Sequence, residues 1–398
     1  MTVLGLIWIL LQVLIGYNLI LPLIIYVLSF FKSDKTKTAE VVMADYAIIV
    51  TAYEDVTNIP AVVDSLLALN HSQYMVYIVA DKCDISELHF DDERIILLRP
   101  ENTLGSNTRS HFYAINNFKR AHNRLTIIDS DNLVHPEYLN ELDKCFNQGY
   151  SAVQGVREAK NLDTTYACLD AARDIYYHFY DGKLLFKAGS SATLAGSGMA
   201  FTTRLYRDCL ENRDVSGAGF DKVLQYIIVD KLYRIAFNER AIVYDQKTSE
   251  TTQLVKQRAR WINTWFKYFG FGFKLIFAGV TRFNANQFLF GLILVRPPLF
   301  IFLALSVLFA ATNLWINPLY SLLWFIGWII FVFSFLMALW QSDTDKRIYR
   351  ALTSIPKFIF FQFVSLTKAG KANKLSVATK HTASVKTEIP DAGKKKYI

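Results

Sequence analysis

Two carboxylates, Asp129 and Asp131, stand one residue apart at the end of an apolar run near the middle of the chain. The run Leu125–Ile128 contains β-branched residues and neither Gly nor Pro, which predicts a strand that is buried on both faces. Alternate side chains of a strand share a face, so the two carboxylates can converge on one ligand. Mg²⁺ and similar hard cations bind carboxylate oxygens together with phosphate and water oxygens. The pattern predicts a divalent-metal site, and a strand that ends in an Asp-rich turn is the alternative interpretation.

Strand-like and helix-like segments alternate between residue 46 and residue 156, which predicts an α/β domain with a largely parallel sheet. The predicted strands are Tyr46–Thr51, Met75–Ala80, Arg94–Leu98, Leu125–Ile128 and Ala152–Val156. The predicted helices are Ile59–Leu69, Thr108–His122 and Pro136–Asn147.

Acidic residues follow three of these strands, and in open α/β sheets ligands bind beyond the carboxyl ends of the strands. The acidic residues are Glu54 and Asp55, Asp81 and Asp84, and Asp129 and Asp131. We expect them to gather at one edge of the sheet, where they suit a metal-bridged phosphate or a base and sugar bound by carboxylates. Redox-cofactor and ATPase sites are disfavoured, because the segment TAYEDVTN has no GxGxxG pattern and the chain has no GxxxxGK[ST] pattern.

The segment Ala195–Phe201 contains two closely spaced glycines before a predicted strand, which allows the backbone to approach a ligand closely. A simple turn is the alternative. Further on, Asp221 lies in the first turn of a predicted helix, where it could also merely complement the helix dipole. The aromatic-rich helix predicted over Asp163–Lys183 is better explained by packing against the core than by sugar stacking.

A helix that runs toward the C-terminal apolar region carries Gln257, Arg260 and Trp261 at positions i, i+3 and i+4, so the three side chains share one face. A solvated amphipathic face does not normally place Trp beside Arg and Gln. An Arg that binds a diphosphate and a Trp that stacks on a sugar would explain the combination.

Three apolar runs are long enough to cross a bilayer at roughly 20 residues per span. They are residues 3–31, Leu299–Ile316 and Leu319–Trp340. A secretory signal is disfavoured for the first run, since such signals have an apolar core of about 7–15 residues and a small-residue cleavage site. Basic residues follow the first and third runs, which predicts that residues 32–285 and the tail face the cytosol. Phe266–Phe290 and Ile355–Leu366 are predicted to lie in the membrane interface.

The formal net charge of +8 is explained by Lys and Arg that collect beside the apolar runs and in the tail, where anionic lipid attracts them. We expect membrane lipids as partners and no nucleic acid, because no nucleic-acid recognition motif accompanies the charge. The four cysteines have no CxxC spacing and are expected to be reduced.

The order of the segments AYED, VADKCD, IIDSDN, AGSGMAF, GFDK and QRARW resembles that of the membrane-bound glycosyltransferases of family 2, the group of cellulose, chitin and hyaluronan synthases. The resemblance covers roughly residues 44–265 and includes flanking membrane helices. It implies a GT-A fold, a nucleotide-sugar donor, a divalent metal (Mg²⁺ or Mn²⁺) and inversion at the anomeric carbon.

The resemblance also implies roles for single residues. Asp81 would contact the base or ribose, Asp129 and Asp131 would hold the metal, and Asp221 would be the general base. Gln257, Arg260 and Trp261 match QxxRW, which closes over donor and acceptor. The implied donor-binding residues also include Ala52, Tyr53, Asp55 and Arg109, and the implied acceptor-binding residues are Gly196, Ser197, Gly198 and Trp261.

The chain departs from the family pattern in three ways. Gly219-Phe220-Asp221 replaces TED or EED, so only the Asp carries over. Arg109 stands in for the basic residue of the usual GKgxA segment. Three predicted spans are fewer than the long-polymer synthases have, which argues against secretion of a polymer through a channel of the chain's own.

These observations predict an integral-membrane, metal-dependent inverting glycosyltransferase that moves a sugar from a UDP-sugar to a growing polysaccharide or a lipid-linked glycan. A non-processive glycolipid synthase and a catalytically silent sugar-binding or scaffold protein are the alternatives. The predicted divisions are an N-terminal transmembrane anchor (1–31), a cytosolic GT-A domain (32–265), interfacial helices (266–295), a transmembrane hairpin (296–341), and an interfacial helix with a basic cytosolic tail (342–398).

Overall fold

The computed structural model describes residues 2–31, 42–215 and 217–371. Residues 32–41, at the start of the predicted cytosolic domain, and residues 372–398 of the predicted basic tail lie outside the described residues.

Eight strands form one sheet. They are β1 (Tyr46–Tyr53), β2 (Tyr74–Asp81), β3 (Ile95–Leu98), β4 (Arg124–Asp129), β5 (Leu133–Val134), β6 (Ala152–Ala159), β7 (Met199–Thr202) and β8 (Ile235–Asp245). Their order is β3-β2-β1-β4-β7-β6-β8-β5. The strands β3, β2, β1 and β4 run parallel to one another, and β6 runs parallel to β8. The strand β7 is antiparallel to both β4 and β6. The α/β prediction is confirmed, and the sheet is mixed in its second half.

Nine helices surround or follow this sheet up to residue 268 in the described part of the chain, beginning with a long apolar helix. They are α1 (Val3–Phe31), α2 (Ile59–Leu67), α3 (Asn107–Asn116), α4 (Tyr138–Asn147), α5 (Thr165–Tyr177), α6 (Leu185–Lys187), α7 (Thr203–Leu210), α8 (Phe220–Asp230) and α9 (Thr251–Tyr268). The segment His178–Leu184 between α5 and α6 is a π-helix.

The C-terminal part of the described chain is helical. Its helices are α10 (Gly270–Thr281), α11 (Ala285–Val295), α12 (Leu299–Ile316), α13 (Pro318–Gln341), α14 (Lys346–Ala351) and α15 (Ile355–Lys368). Short 3₁₀ turns, Leu352–Ser354 and Ala369–Lys371, precede and follow α15.

Both faces of the central strands are buried, which explains why β1 and β4 read as continuous apolar runs. Ile48 and Val50 of β1 belong to a core with α2 and α4. Ala47 and Ile49 point to the other face and belong to a core that also contains Leu19 of α1 and Phe331 of α13. The α/β domain and the apolar helices therefore share a core.

Among the described residues, α1, α12 and α13 are long and apolar enough to cross a membrane, which indicates membrane association. Close contacts join them. The ring of Trp324 lies 3.4 Å from where a Cβ on Gly16 would stand, and Leu19 lies 3.0 Å from the corresponding position on Gly327. Small residues at such crossings let helix backbones approach each other.

Two predicted helices end differently in the structure. The helix predicted over Thr108–His122 ends at Asn116, and Asn117 caps it through its backbone N–H. The helix predicted over Asp163–Lys183 is α5 up to Tyr177 and then the π-helix. An inserted residue of this kind is frequent at functional sites, because it redirects the side chains that follow.

Candidate functional site

The carboxyl ends of β1 and β4 open into a cavity of about 1020 Å³. The pairing of β1 with β4 places Thr51 opposite Asp129, so residues at both strand ends reach the same space. Most of the predicted site residues line this cavity. They are Tyr53, Asp55, Asp129, Asp131 and Gly196, together with Asp221, Gln257, Arg260 and Trp261.

Ser197 fixes the turn that carries the two central carboxylates. Its hydroxyl oxygen accepts hydrogen bonds from the backbone N–H of Asp129 (3.0 Å) and from the side-chain amide of Asn132 (2.8 Å). The backbone N–H of Asn132 also donates to the carbonyl of Asp129 at 3.1 Å. Ser197 is fully buried, so its position supports the turn from behind.

The carboxyl group of Asp129 lies in an environment that penalises its negative charge. Its pKa is raised to about 7, mainly by burial and next by the nearby Asp131 carboxylate, whereas Arg157 and Arg260 oppose the shift. A divalent cation between the two carboxylates would relieve this repulsion, so the pair fits a metal. Within the described ranges, no group of three His, Cys, Asp or Glu side chains is arranged to hold a metal by itself. Two protein carboxylates suffice for Mg²⁺ when phosphate and water supply the other ligands.

Five of the predicted site residues lie outside the cavity lining. Asp81 is buried, and its carboxylate accepts hydrogen bonds from the backbone N–H groups of Leu104 (2.9 Å) and Gly105 (2.8 Å). Arg109 is half exposed and forms an ion pair with Asp214. The remaining three, Ala52, Ser197 and Gly198, are buried and are absent from the lining. Their proposed roles in binding stay predictions.

The helix α9 presents the QxxRW residues to the cavity. Burial lowers the pKa of the Arg260 guanidinium, and the Asp129 carboxylate opposes that shift, which places the charge of Arg260 beside the β4 edge. The ring of Trp261 is contacted by two cations, since the guanidinium carbons of Arg173 and Arg258 lie 4.2 and 4.1 Å from its centroid. Gln257 accepts a hydrogen bond from the Thr248 hydroxyl at 3.3 Å.

Asp221 reaches the cavity from the first turn of α8. Gly219 caps that helix with φ +103°, and a Cβ there would lie 2.6 Å from Tyr268 and 2.7 Å from Thr264 of α9. Only glycine combines this left-handed backbone with so close an approach. The carboxylate of Asp221 lies 3.2 Å from the ammonium of Lys222, which also donates to the carbonyl of Leu194 at 3.1 Å.

A buried network of ion pairs joins the strands β6 and β8 to α5 and α9. Lys247 lies 2.6 Å from Asp174 and 2.9 Å from Asp245. The other pairs of the network are Arg157 with Asp174 and Asp245, Arg173 with Asp170 and Asp174, and Arg258 with Asp170. Arg296 and Asp181 of the π-helix form a separate buried pair. No motif in the sequence predicts this network. Its one local signal is the spacing of Asp170 and Asp174, which puts two acids on one helical face.

A sequence model of the family described as "Glycosyltransferase like family 2" matches residues 44–264, more than half of the chain. The chain belongs to glycosyltransferase family 2. The match confirms the predicted family and leaves the cellulose, chitin and hyaluronan synthase subgroup a prediction. No curated protein matches the chain.

A solved mannosyltransferase structure has the same fold. The mannosyltransferase PcManGT from Pyrobaculum calidifontis, in complex with GDP-Man and Mn²⁺, is 14% identical, has a TM-score of 0.56, and aligns over 89% of this chain and 98% of its own. TarS 1–349 from S. aureus in complex with UDP-GlcNAc is 12% identical, with a TM-score of 0.41 over 82% of this chain and 89% of its own. The predicted GT-A fold of this family 2 glycosyltransferase is confirmed.

The cavity of this glycosyltransferase is also lined by residues beyond 264, in a part that no sequence pattern predicts. It extends between α12 and α13, where we call it the apolar arm, lined by Leu303, Val307, Phe331, Val332, Phe335 and Leu336. Ser306 and Trp328 also line the arm, and the indole N–H donates to the Ser306 hydroxyl at 2.8 Å. The polar atoms of these two residues are thus paired with each other.

Trp265 also lines the cavity, one helical turn after Trp261 on α9. Its ring stacks on Phe269 with centroids 4.9 Å apart. Its indole nitrogen is buried and has no hydrogen-bond partner among the described residues. An unpaired buried donor is costly, so a ligand or water oxygen at this point would be stabilised.

Proposed function

We propose that the chain is an integral-membrane, metal-dependent, inverting glycosyltransferase that moves a sugar from a UDP-sugar to a growing polysaccharide or a lipid-linked glycan. One observation carries the proposal. A single cavity receives the carboxylates at the end of β4, Asp221 from α8, and Arg260 with Trp261 from α9. Sugar transfer needs a site for a diphosphate, a base for the acceptor hydroxyl and a surface for the sugar.

Asp129 and Asp131 would hold Mg²⁺ or Mn²⁺ in this proposal. The cation would supply positive charge for the diphosphate leaving group. The mannosyltransferase that shares the fold was solved with GDP-Man and Mn²⁺, so GDP-Man is the natural second donor to test beside UDP-sugars. Tyr53 and Asp55 line the same end of the cavity and would contact the nucleoside.

Asp221 would take the proton of the acceptor hydroxyl as that oxygen attacks the anomeric carbon from the face opposite the leaving diphosphate. A single displacement of this kind inverts the anomeric configuration. Arg260, positioned beside Asp129, would donate hydrogen bonds to the departing diphosphate, because a guanidinium matches the geometry of phosphate oxygens. Trp261 would close the wall behind the sugar.

The proposal includes the predicted divisions and orientation. Residues 1–31 would anchor the chain, residues 32–265 would form the catalytic domain in the cytosol, and residues 296–341 would form the transmembrane hairpin between interfacial segments. The positions of α1, α12 and α13, which are the candidate spans in the described residues, support this arrangement. The basic residues after the first and third runs support the cytosolic side.

A non-processive glycolipid synthase is the second candidate. The continuation of the cavity into the apolar arm favours it, because a hydrocarbon chain suits an apolar space between helices better than a polar glycan does.

The test is release of UDP by detergent-purified protein with Mn²⁺ or Mg²⁺ and a panel of UDP-sugars and GDP-Man, in the presence of lipids and glycan primers. Asp221→Asn should lower the rate by about 10²-fold or more, as for loss of a general base, and Asp131→Ala should abolish the metal-dependent release of UDP. Asp84→Asn is the matched control, since Asp84 is exposed, lies outside the cavity lining and belongs to the same predicted acidic edge.

The proposal would be supported if UDP release by the wild type depends on metal and on one donor. Among the three variants, only Asp84→Asn should keep this release. If the wild type released no UDP or GDP with any donor, the proposal would be contradicted and the binding-only alternative favoured. If Asp221→Asn released UDP at the wild-type rate, Asp221 would not be the general base.

A further inference from the structure

We propose that the apolar arm binds the hydrocarbon chain of the acceptor, and that this acceptor is a membrane lipid with a neutral, hydroxyl-bearing head. The inference rests on the proposed function, because it names the acceptor class for the same cavity. Four observations support it: the lining of the arm, its opening, the ion pairs that occupy arginines of the cavity, and the unpaired donor of Trp265.

The lining of the arm suits hydrocarbon. Leu303, Phe331 and Phe335 present only carbon atoms to it, and the hydroxyl of Ser306 is already occupied by the indole of Trp328. A glycan chain in this space would lose its hydrogen bonds to water without replacement, which costs free energy for each hydroxyl group. An alkyl or isoprenoid chain has no such requirement.

The arm opens at a surface where lipid is expected. Val307 and Val332 line the arm and are 56% and 55% exposed, so they stand at its mouth. They lie on α12 and α13, two of the helices that are apolar and long enough to cross a membrane. A lipid chain can therefore enter sideways from the bilayer while its head remains at the catalytic end of the cavity.

The ion pairs of the cavity favour a neutral head. Eight aspartates and six lysines or arginines line the cavity, and the divalent cation that Asp129 and Asp131 would hold offsets the difference. Two of the arginines are committed to carboxylates, since Arg296 pairs with Asp181, and Arg173 pairs with Asp170 and Asp174. A lipid phosphate needs cations that are not committed to carboxylates. A hydroxyl head needs a base instead, and Asp221 lines the same cavity.

Trp265 lies where such a head would sit. Its buried indole N–H lacks a partner among the described residues, and the neighbouring Thr264 and Tyr268 of α9 contact the start of the helix that carries Asp221. The N–H would donate to an oxygen of the lipid head and hold the attacking hydroxyl near the base.

The experiment measures lipid binding directly, without turnover. The full chain in phosphatidylcholine nanodiscs is irradiated with dioleoylglycerol that carries a diazirine on one acyl chain, and the labelled peptides are mapped. Labels should fall on the α12 and α13 residues that line the arm. Val332→Trp should reduce this labelling by about tenfold, equivalent to one decade in affinity, because the indole fills the arm. Excess unlabelled dioleoylglycerol should compete, and undecaprenyl phosphate should not.

Matched variants control for damage to the helices. Ile329→Trp introduces the same side chain on α13 at a position that is 62% exposed and outside the cavity lining, so labelling should be unchanged. A second pair on α12, Val307→Phe and Leu308→Phe, repeats the comparison, since Leu308 is 58% exposed and also outside the lining. The inference would be overturned if the two variants of each pair were labelled equally. It would also be overturned if undecaprenyl phosphate competed with the labelled lipid and unlabelled dioleoylglycerol did not.

A parallel UDP-binding and UDP-release assay separates this inference from the proposed function. Variants that bind UDP like the wild type but lose labelling support the lipid site and show that they are folded. If the protein transfers sugar to a water-soluble glycan primer and Val332→Trp does not change the labelling, the lipid site would be overturned. The transferase proposal would still hold. If Val332→Trp reduces the labelling but the wild type releases no UDP from any sugar nucleotide, the lipid would be a ligand of the arm. Its role as acceptor would then be overturned.

Discussion

The guanidinium of Arg296 forms a buried ion pair with the carboxylate of Asp181, with one of the two hydrogen bonds at 3.1 Å. Arg296 lies between α11 and α12, at the entry to the apolar hairpin, and Asp181 lies in the π-helix. The pair therefore joins the apolar hairpin to the α/β domain at the wall of the cavity. Its members are far apart in the chain, so the contact fixes how the two parts meet.

Asp181→Asn should destabilise the protein by about 3–5 kcal/mol, because it leaves the charge of Arg296 buried without a partner. Lys183→Ala is the control in the same π-helix, since its pair with Glu239 is largely exposed and should be worth about 0–1 kcal/mol. Thermal unfolding in detergent measures both. The double variant Asp181→Leu/Arg296→Met should recover much of the loss, as an apolar pair replaces an ion pair. A double variant as unstable as Asp181→Asn would show that the charges themselves are needed.

Ser197→Ala should weaken Mn²⁺ binding in the presence of UDP by about tenfold, because groups that orient metal ligands typically contribute that much. The variant removes the oxygen that accepts from the Asp129 backbone and the Asn132 amide. Ser65→Ala is the control: Ser65 is also buried and accepts the Val134 N–H at 3.2 Å, but lies outside the cavity lining. Titration calorimetry reports metal affinity and thermal unfolding reports stability. Equal metal affinity in the two variants would argue that Ser197 has only a structural role.

Local patterns in the sequence were sufficient to predict the first half of the fold. The strands β1, β2, β3, β4 and β6 were predicted because each is a short apolar run bounded by polar residues. The strand β8 was missed, since Asn238, Glu239 and Arg240 interrupt its apolar pattern near a register shift against β6. The two-residue β5 is too short to carry a pattern.

The site could be predicted where its residues form motifs and not where it depends on distant contacts. Asp129, Asp131, Asp221 and the α9 residues belong to recognisable segments, and the structure brings them to one cavity. The pairing of Arg258 with Asp170 joins residues 88 positions apart, which no local pattern indicates. The apolar arm was missed for a similar reason, because periodicity shows that α12 and α13 are apolar but not that they leave a space between them.

Asn313→Leu should loosen the packing of α12 against α1. The amide of Asn313 donates to the Gln12 side-chain oxygen, and its own oxygen accepts from the indole of Trp8 at 3.4 Å. Such bonds between membrane helices contribute about 0.6 kcal/mol on average and up to about 1.7. Thr312→Val is the matched control, because Thr312 is only partly buried and its hydroxyl donates to the Leu308 carbonyl within its own helix. Thermal unfolding in detergent should separate the two variants, and a larger loss in Thr312→Val would contradict the expectation.

Gly219→Ala should lower both stability and the rate of sugar transfer. A left-handed backbone costs a non-glycine residue about 1–2 kcal/mol, and the new Cβ would also lie 2.6 Å from Tyr268. Gly149→Ala isolates the backbone cost, since Gly149 has φ +94° and nothing within 4 Å of a Cβ.

The difference between the two variants therefore measures crowding between α8 and α9. Because α8 must move to relieve it, Asp221 should move with it, and UDP release should fall in Gly219→Ala while Gly149→Ala keeps the wild-type rate. Chemical unfolding and steady-state UDP release give the two readouts. If Gly219→Ala lost only as much stability as Gly149→Ala and kept full activity, the close approach of the two helices would be unnecessary for catalysis.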